Sequence, residues 1–479
     1  MARLDYLDRD DIASDYLYNY VRNNIYSGDS FMIKKLAQYR LFWKFYDNKH
    51  WNEENGILMS FNYCKAIVNK VNEFTIGSNG FETNVIHEFG EEVPENIERS
   101  VESLINYTWK KSGGNILLSS LLQMGGVTGD GYMFVYYNAT RGLVEIKLLD
   151  TRFVVAKFNN GDYKDVIGYD YVTPLFGNKK EYKQKVTEYR KGKYTTYYKK
   201  ETGEKADKFE PLETPVEDGE LPIIHIENNV NSGDFGGYSD LQDILALNKV
   251  YNELAEDIKK IIDYYTTPVT IIKGAKIGNL QRGIGQIWSG LPAEASVQTL
   301  GLGEDLGNAK EFMETVKKAM HDLTGVPEEV LSKVQHISNT SNAALKTLYN
   351  SLTMASDRKV LTYGYGIEKV NALALKLWLR YNPTHPLVTE IESSRELIEN
   401  EVYTTDPVFT YGLPNDRMTT LQEGQIELQT KTGSRRSIME RLGTKNIPKM
   451  IAEIDAEEKK YAENTEPSMR ISQDKLKNS

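Results

Sequence analysis

Apolar residues recur at helical spacing in several long stretches of the chain and alternate at strand spacing between them. Residues 10–50 read as helix, with Phe31, Tyr39, Phe42, Trp43 and Tyr46 keeping the period until Asp47, Asn48 and Lys49 break it. A second helix spans Phe61 to Phe74, with Tyr63, Ile67, Val68 and Val71 on one face and Gly77 beyond its end. A third covers 95–124 and ends at Gly125 and Gly126. From Gly131 the period changes to two: strands are predicted over 132–137, 144–149, 153–158 and 166–172. Val186 to Lys199 reads as a hairpin turning at Lys191-Gly192, and Lys200 to Glu220 as a charged surface loop.

The second half is more regular. An amphipathic helix starts at Ser239, where Ser239 and Gln242 suggest a capping box, and stops before Pro268. Its polar face carries Asp243, Glu253, Glu256, Asp257, Lys260 and Asp263, read as an exposed acidic stripe. A glycine-rich segment holds short β-type runs at 269–272 and 297–300. Another helix begins at Asn308, with Glu311 in capping position, and stops at Gly325 and Pro327, so it can return beside the first. After a polar loop, Ser341 to Tyr381 is an unbroken helical pattern, about 60 Å long if straight, with Gly364 and Gly366 predicting a bend. Its charges, Lys346, Arg358, Lys359, Lys369, Lys376 and Arg380 against Asp357 and Glu368, suggest that it faces a different partner from the rest. Residues 406–412 return to β character, 418–429 and 437–460 are helical, and the end reads as a loose tail.

Composition sharpens this picture. With 479 residues, several domains are expected rather than one core. Lys+Arg 58 against Asp+Glu 68 gives a net charge of -10, the wrong sign for a protein that grips nucleic acid over its whole surface. Cys64 is alone, which excludes an intrachain disulfide or a cysteine-based metal site and favours a reducing compartment. No run approaches a membrane span, and Met1 to Asp5 lack the apolar core of a signal peptide, so a soluble chain is expected.

Local catalytic signatures are missing: there is no phosphate loop, H-E-x-x-H, G-x-S-x-G or kinase set. Gly301, Gly303 and Gly307 are mis-spaced for a dinucleotide loop. The histidines His50, His87, His225, His321, His336 and His385 form no i, i+4 pair, so no metal and no cofactor is expected. His321 reads as a helix C-terminal charge and His50 as an ordinary loop residue. Glu253, Glu256 and Asp257 share a helix face that reads either as solvated or as part of a carboxylate-dependent nuclease, with the long helix as a DNA platform. The aromatic and basic segment 182–200 could stack on nucleic acid, or be an edge hairpin kept soluble by lysine.

The order of elements, together with several short motifs, resembles the portal (connector) proteins of tailed bacteriophages, siphophage type. Tyr46-Asp47-Asn48-Lys49-His50-Trp51 is similar to the family's N-terminal turn, with Asn48 where glycine is common. The segment Asn62 to Lys70 is similar to its N-x-x-K-x-I-V helix, and Gly237-Tyr238-Ser239-Asp240-Leu241 to the G-x-S-D-L lead-in to the stem. Leu323-Thr324-Gly325-Val326-Pro327 matches its L-T-G-[IV]-P signature, and 341–346 the start of its long helix, with Asn342 replacing glycine. The likeness covers 31–417.

This resemblance implies a mixed α+β, mainly helical portal fold with wing, stem, clip and crown domains. It assigns 1–237 to the wing, 238–265 to stem helix 1, 266–307 to the clip and 308–325 to stem helix 2. Residues 326–340 become the tunnel-loop region, 341–417 the long wing helix and returning strand, and 418–479 the crown and tail. Implied DNA-facing loop residues are Lys333, Gln335, His336, Ser338, Asn339 and Thr340, and Glu253, Glu256, Asp257 and Asp263 line the channel or face neighbouring stems. Clip contacts fall on Thr270, Ile272, Lys273, Trp288, Val297 and Thr299, whose β-runs would pair with a neighbouring subunit. The implied protein is non-enzymatic. It is assembled in the host cytoplasm as a homo-dodecamer and sits at the capsid portal vertex of the virion, where double-stranded DNA slides through it. The implied partners are the terminase large subunit, a head-completion adaptor, and the major capsid and scaffolding proteins, with no membrane.

Overall fold

A computed structural model describes residues 30–50, 60–77, 80–159, 162–174, 184–199, 212–215, 220–233, 235–266, 270–273, 296–299, 305–331, 342–412, 417–442, 444, 447 and 449–459. These fall into two compact units, one within Met1–Val334 and Tyr349–Gly412, the other within Gln335–Leu348 and Leu413–Ser479. The fold class is mixed α+β and mainly helical. No described helix is long and apolar enough to cross a membrane.

The first unit opens with α1 (Ser30–Tyr46), α2 (Tyr63–Ile76), β1 (Phe81–His87), α3 (Glu95–Ser112) and α4 (Asn115–Thr128). Asn62 caps α2 by accepting from the Lys65 amide, and Cys64, Ile67, Val68 and Val71 form its buried face. Burial pushes the Cys64 thiol up to about 12, which removes it from thiolate chemistry. The helix expected over 95–124 is two helices: Gly113 and Gly114, at φ 121° and 56°, turn the chain, whereas Gly125 and Gly126 lie inside α4. They are packing positions, not breakers. A Cβ on Gly125 would sit 1.9 Å from the Tyr363 hydroxyl, and one on Gly126 2.9 Å from an Asp240 oxygen.

Strands follow: β2 (Asp130–Asn138), β3 (Leu143–Leu149), β4 (Val154–Asn159), β5 (Asp162–Pro174), β6 (Gln184–Arg190), β7 (Lys193–Lys199), β8 (Leu212–Pro215) and β9 (Ile223–Glu227). They make an antiparallel β3-β2-β9 sheet and a five-stranded β4-β5-β6-β7-β8 sheet. The predicted hairpin is β6–β7, but it is interior: β8, inside the stretch read as loop, pairs along β7. Its Tyr189 and Tyr197 are core residues rather than a stacking surface, packed on α1 and the sheet interior. β9 was not foreseen, because five residues flanked by Pro222 and Asn228 carry too short a pattern.

The remaining elements are α5 (Leu245–Thr266), β10 (Thr270–Lys273), β11 (Ser296–Thr299), α6 (Asp305–Thr324), α7 (Glu328–Leu331), α8 (Asn342–Tyr381), α9 (Pro386–Ile391), α10 (Arg395–Glu399) and β12 (Tyr403–Phe409). α8 is helical without interruption through Gly364 and Gly366, and Gly366 serves close packing, since a Cβ there would lie 2.5 Å from Ile226. Its C-terminal half is the spine of the largest core, where Ile367, Val370, Ala374 and Trp378 meet Leu104, Leu121 and Met133. Two buried indoles stitch the helices: Trp109 donates to Asn371 Oδ1 and Trp378 to Thr108 Oγ1, both at 2.8 Å. β12 returns to pair antiparallel with β1, from Phe81↔Phe409 to His87↔Tyr403. In the second unit, α11 (Arg417–Thr430) and α12 (Arg435–Arg441) pack through Ile438 on Gly424, and residues 451–459 are helical.

His50 is not a free loop residue. It stacks on Phe45 with ring centroids 3.9 Å apart, and burial, reinforced by Lys249, pushes its imidazole down to about 4. The packing role of Gly125 has a direct consequence: Gly125→Ala should lower unfolding stability by about 1–3 kcal/mol, the range for overpacked cores, as read from a denaturant titration. Gly113→Ala acts through backbone strain alone.

Candidate functional site

The segment Gly237-Tyr238-Ser239-Asp240 lies against the C-terminal end of α4, whose last carbonyls have no intrahelical partners. Asp240 donates its amide to the Gly126 carbonyl at 3.0 Å, and the Ser239 hydroxyl donates to Val127 at 2.6 Å. Gly237 is required by contact, since a Cβ would stand 2.3 Å from the Gly129 oxygen and 2.7 Å from the Asn228 nitrogen. The Ser239 hydroxyl donates to α4 and accepts from the Leu241 amide at 3.1 Å, one residue short of Gln242, so the expected capping box does not form. Gln242 donates to the Ser239 carbonyl instead, 240–244 are turns, and α5 starts at Leu245.

Two carboxylates, Asp130 wholly buried and Asp240 nearly so, anchor this junction. Asp240 meets Lys359 of α8 at 2.5 Å and accepts from Asn228 at 2.8 Å; Lys359 is only 2% exposed. Asp130 is wholly buried and accepts from Tyr39 (2.5 Å), His225 (2.7 Å) and the Gly237 amide (2.9 Å), with Lys35 at 3.1 Å. Burial alone would raise the Asp130 carboxyl, but the His225 hydrogen bond, Lys35 and Tyr39 outweigh it and hold it below the usual range. Two of the long-helix cations serve contacts within the chain: Lys359 is used here, and Lys376 meets Glu220 and Glu401 at 2.9 and 2.7 Å.

From this junction α5 runs out and α6 returns beside it. α5 is pinned at its base. Asn252 accepts from the Phe61 amide (2.5 Å) and donates to its carbonyl (3.0 Å), Asn248 accepts from Tyr63 (3.2 Å), and Tyr251 packs edge-on between Phe61 and Tyr63. Glu256 departs from the exposed stripe expected of it: it falls with Asn248 and Asn252 at i+8 and i+4, is 7% exposed, and its Oε2 has no hydrogen-bond partner. Glu253, Asp257 and Asp263 are exposed as expected, so the three carboxylates of the nuclease reading do not converge on one face.

α6 ends at Gly325, φ 69°, whose amide donates to the His321 carbonyl. His321 is not a solvent-facing terminal charge: it is buried, bonded through Nδ1 to the Val326 carbonyl at 2.8 Å, and edge-on to Tyr63. Lys317 ties α6 to Glu328 of α7. Among the described side chains of α6, Val316, Met320 and His321 are buried, while Phe312 and Leu323 lie open to solvent.

The six loop residues Lys333, Gln335, His336, Ser338, Asn339 and Thr340 lie outside the described residues, as does Trp288. Lys273 is exposed. Thr270, Ile272, Val297 and Thr299 lie on β10 and β11, which pair with each other, Thr270↔Thr299 and Ile272↔Val297.

The family profile "Phage portal protein, SPP1 Gp6-like" matches residues 21–464. The chain belongs to this family of phage portal proteins. The portal protein is a non-enzymatic structural component of the virion, located at the portal vertex. No curated protein matches it. Solved structures similar to it include a chain from the neck of an empty GTA particle computed with C6 symmetry, at 14% identity and TM-score 0.43, covering 85% of this chain and 93% of that one. Two others come from the neck of a native GTA particle computed with C12 symmetry (14%, TM-score 0.38, covering 73% and 90%) and from the virion of a native gene transfer agent particle (15%, TM-score 0.38, covering 79% and 88%).

Removing Lys359 strands Asp240 in the interior of the portal protein. Lys359→Ala is expected to cost about 3–5 kcal/mol, measured as a loss of denaturation midpoint. A variant as stable as the parent would show that the pair is not structural.

Proposed function

We propose that the protein assembles as a homo-dodecameric ring at one capsid vertex and serves as the channel through which double-stranded DNA enters and later leaves the head. The single observation that carries this reading is the family match across nearly the whole chain. The out-and-back pair α5–α6, with a β10–β11 ribbon at its far end and α8 beyond, supports it. In this reading 1–237 is the wing, 238–265 and 308–325 are the stem helices, and 266–307 is the clip. Residues 326–340 carry the tunnel loop, 341–417 the long wing helix and returning strand, and 418–479 the crown.

Electrostatics favours a conduit over a clamp. Each Lys or Arg that neutralises a phosphate adds salt-sensitive affinity, so a channel lined with cations would hold DNA. Exposed Glu253, Asp257 and Asp263 on the stem and a net charge of -10 leave DNA free to slide, with Lys333, Gln335, His336, Ser338, Asn339 and Thr340 as local contacts at the constriction. Glu256, enclosed within the subunit, belongs to helix packing instead. The clip, including Lys273, Trp288 and the outer edges of β10 and β11, presents the docking surface first to the terminase large subunit, which hydrolyses ATP, and then to the head-completion adaptor. Major capsid and scaffolding proteins surround the ring during assembly in the host cytoplasm.

Deleting Gln335 to Thr340 should leave ring assembly intact and sharply reduce packaged or retained DNA. A normal yield of packaged DNA in that variant would refute the loop assignment.

A further inference from the structure

Two faces of the first unit are exposed, apolar and opposite in charge. On α8, Met354, Arg358, Leu361 and Tyr365 follow one another at i, i+4, i+7 and i+11, a single line of about 16 Å. Met354, Leu361 and Tyr365 are 60%, 75% and 61% exposed, a density of bare apolar surface that marks an interaction site. The cation within the line is Arg358; Lys369 lies over the Tyr365 ring, 4.7 Å from its centroid, where the stripe meets Glu368. Asp357, at the flank, is turned to the Tyr411 hydroxyl.

The second face is the outer side of the two-stranded β1–β12 ribbon. Its register places Glu82 beside Val408 and Asn84 beside Asp406, with Ile86 one step on; all five point away from the core, while Thr83, Val85 and Thr405 point inward. Ile86 and Val408 are 41% and 42% exposed, and no strand lies against either outer edge of the ribbon among the described residues. The acidic surround extends to Glu88 and Glu368: burial raises the Glu368 carboxyl, and Glu88, Glu401 and Asp406 raise it further, against Lys369.

We propose that, in the ring, the α8 stripe of one copy seats on the acidic outer face of the β1–β12 ribbon of the next. The inference rests on the ring reading above. A cyclic assembly needs a heterologous contact, two different patches that fit each other on every subunit, and these two carry apolar side chains of matching kind with complementary charge. The closed ring leaves neither face open to solvent.

Complementation of two charge variants tests this. Arg358→Glu makes both faces of a copy acidic; Glu82→Lys with Asp406→Lys makes both basic. All three positions are exposed, so each variant is expected to melt as the parent does by circular dichroism. Each alone is expected to remain monomeric in mass photometry at concentrations where the parent forms rings, and an equimolar mixture to form rings in which the two alternate. Rings formed by either variant alone as readily as by the parent, or a mixture of the folded monomers that stays monomeric, would overturn the proposal while leaving the ring reading intact. A parent protein that is itself monomeric throughout would overturn the ring reading, and this proposal with it.

Discussion

Burying a charge is tolerable only where another charge and a full set of hydrogen bonds meet it, and the architecture of the first unit is arranged around that requirement at Asp240 and Asp130. Asp240 draws Lys359 of α8 to the end of α4; Asp130 draws Lys35 and Tyr39 of α1 and His225 of β9 to the start of β2. Five elements, α1, α4, β2, β9 and α8, are thereby fixed at one point, from which α5 departs. Leaving either carboxylate without its partners would carry a desolvation penalty, so the place from which the helix pair departs follows from satisfied electrostatics as much as from apolar packing.

Away from that node the molecule is notably unfinished as a monomer. α6 buries little beyond Val316, Met320 and His321, α8 shows a row of bare apolar side chains, and two short strands pair only with each other among the described residues. In the proposed ring, neighbouring subunits would cover such surfaces. An acidic overall charge suits the proposed DNA passage, which must not retain the polyanion moving through it.

Much of this was legible in the sequence. Element order, both long helices, the hairpin at Lys191-Gly192 and the stop at Gly325 follow from periodicity and turn chemistry, and the G-x-S-D-L and L-T-G-[IV]-P resemblances point to the family. What escaped has physical causes. Periodicity cannot separate a glycine that breaks a helix, as Gly113 and Gly114 do, from one that lets a hydroxyl or carboxylate approach, as Gly125 and Gly126 do. β1 pairs with β12 more than 300 residues away and has no local signal. The Ser239 hydroxyl accepts from the Leu241 amide and also donates to α4, and no local pattern shows the second bond. Glu256 looks like its acidic neighbours until its phase beside Asn248 and Asn252 is counted, and nothing near Asp240 announces that its partner lies at Lys359.

Electron microscopy of the purified full chain, with class averages of end views, tests the central claim most directly. Closed rings around a central opening wide enough for duplex DNA are the result this account predicts. A population consisting only of compact monomers or dimers would contradict it.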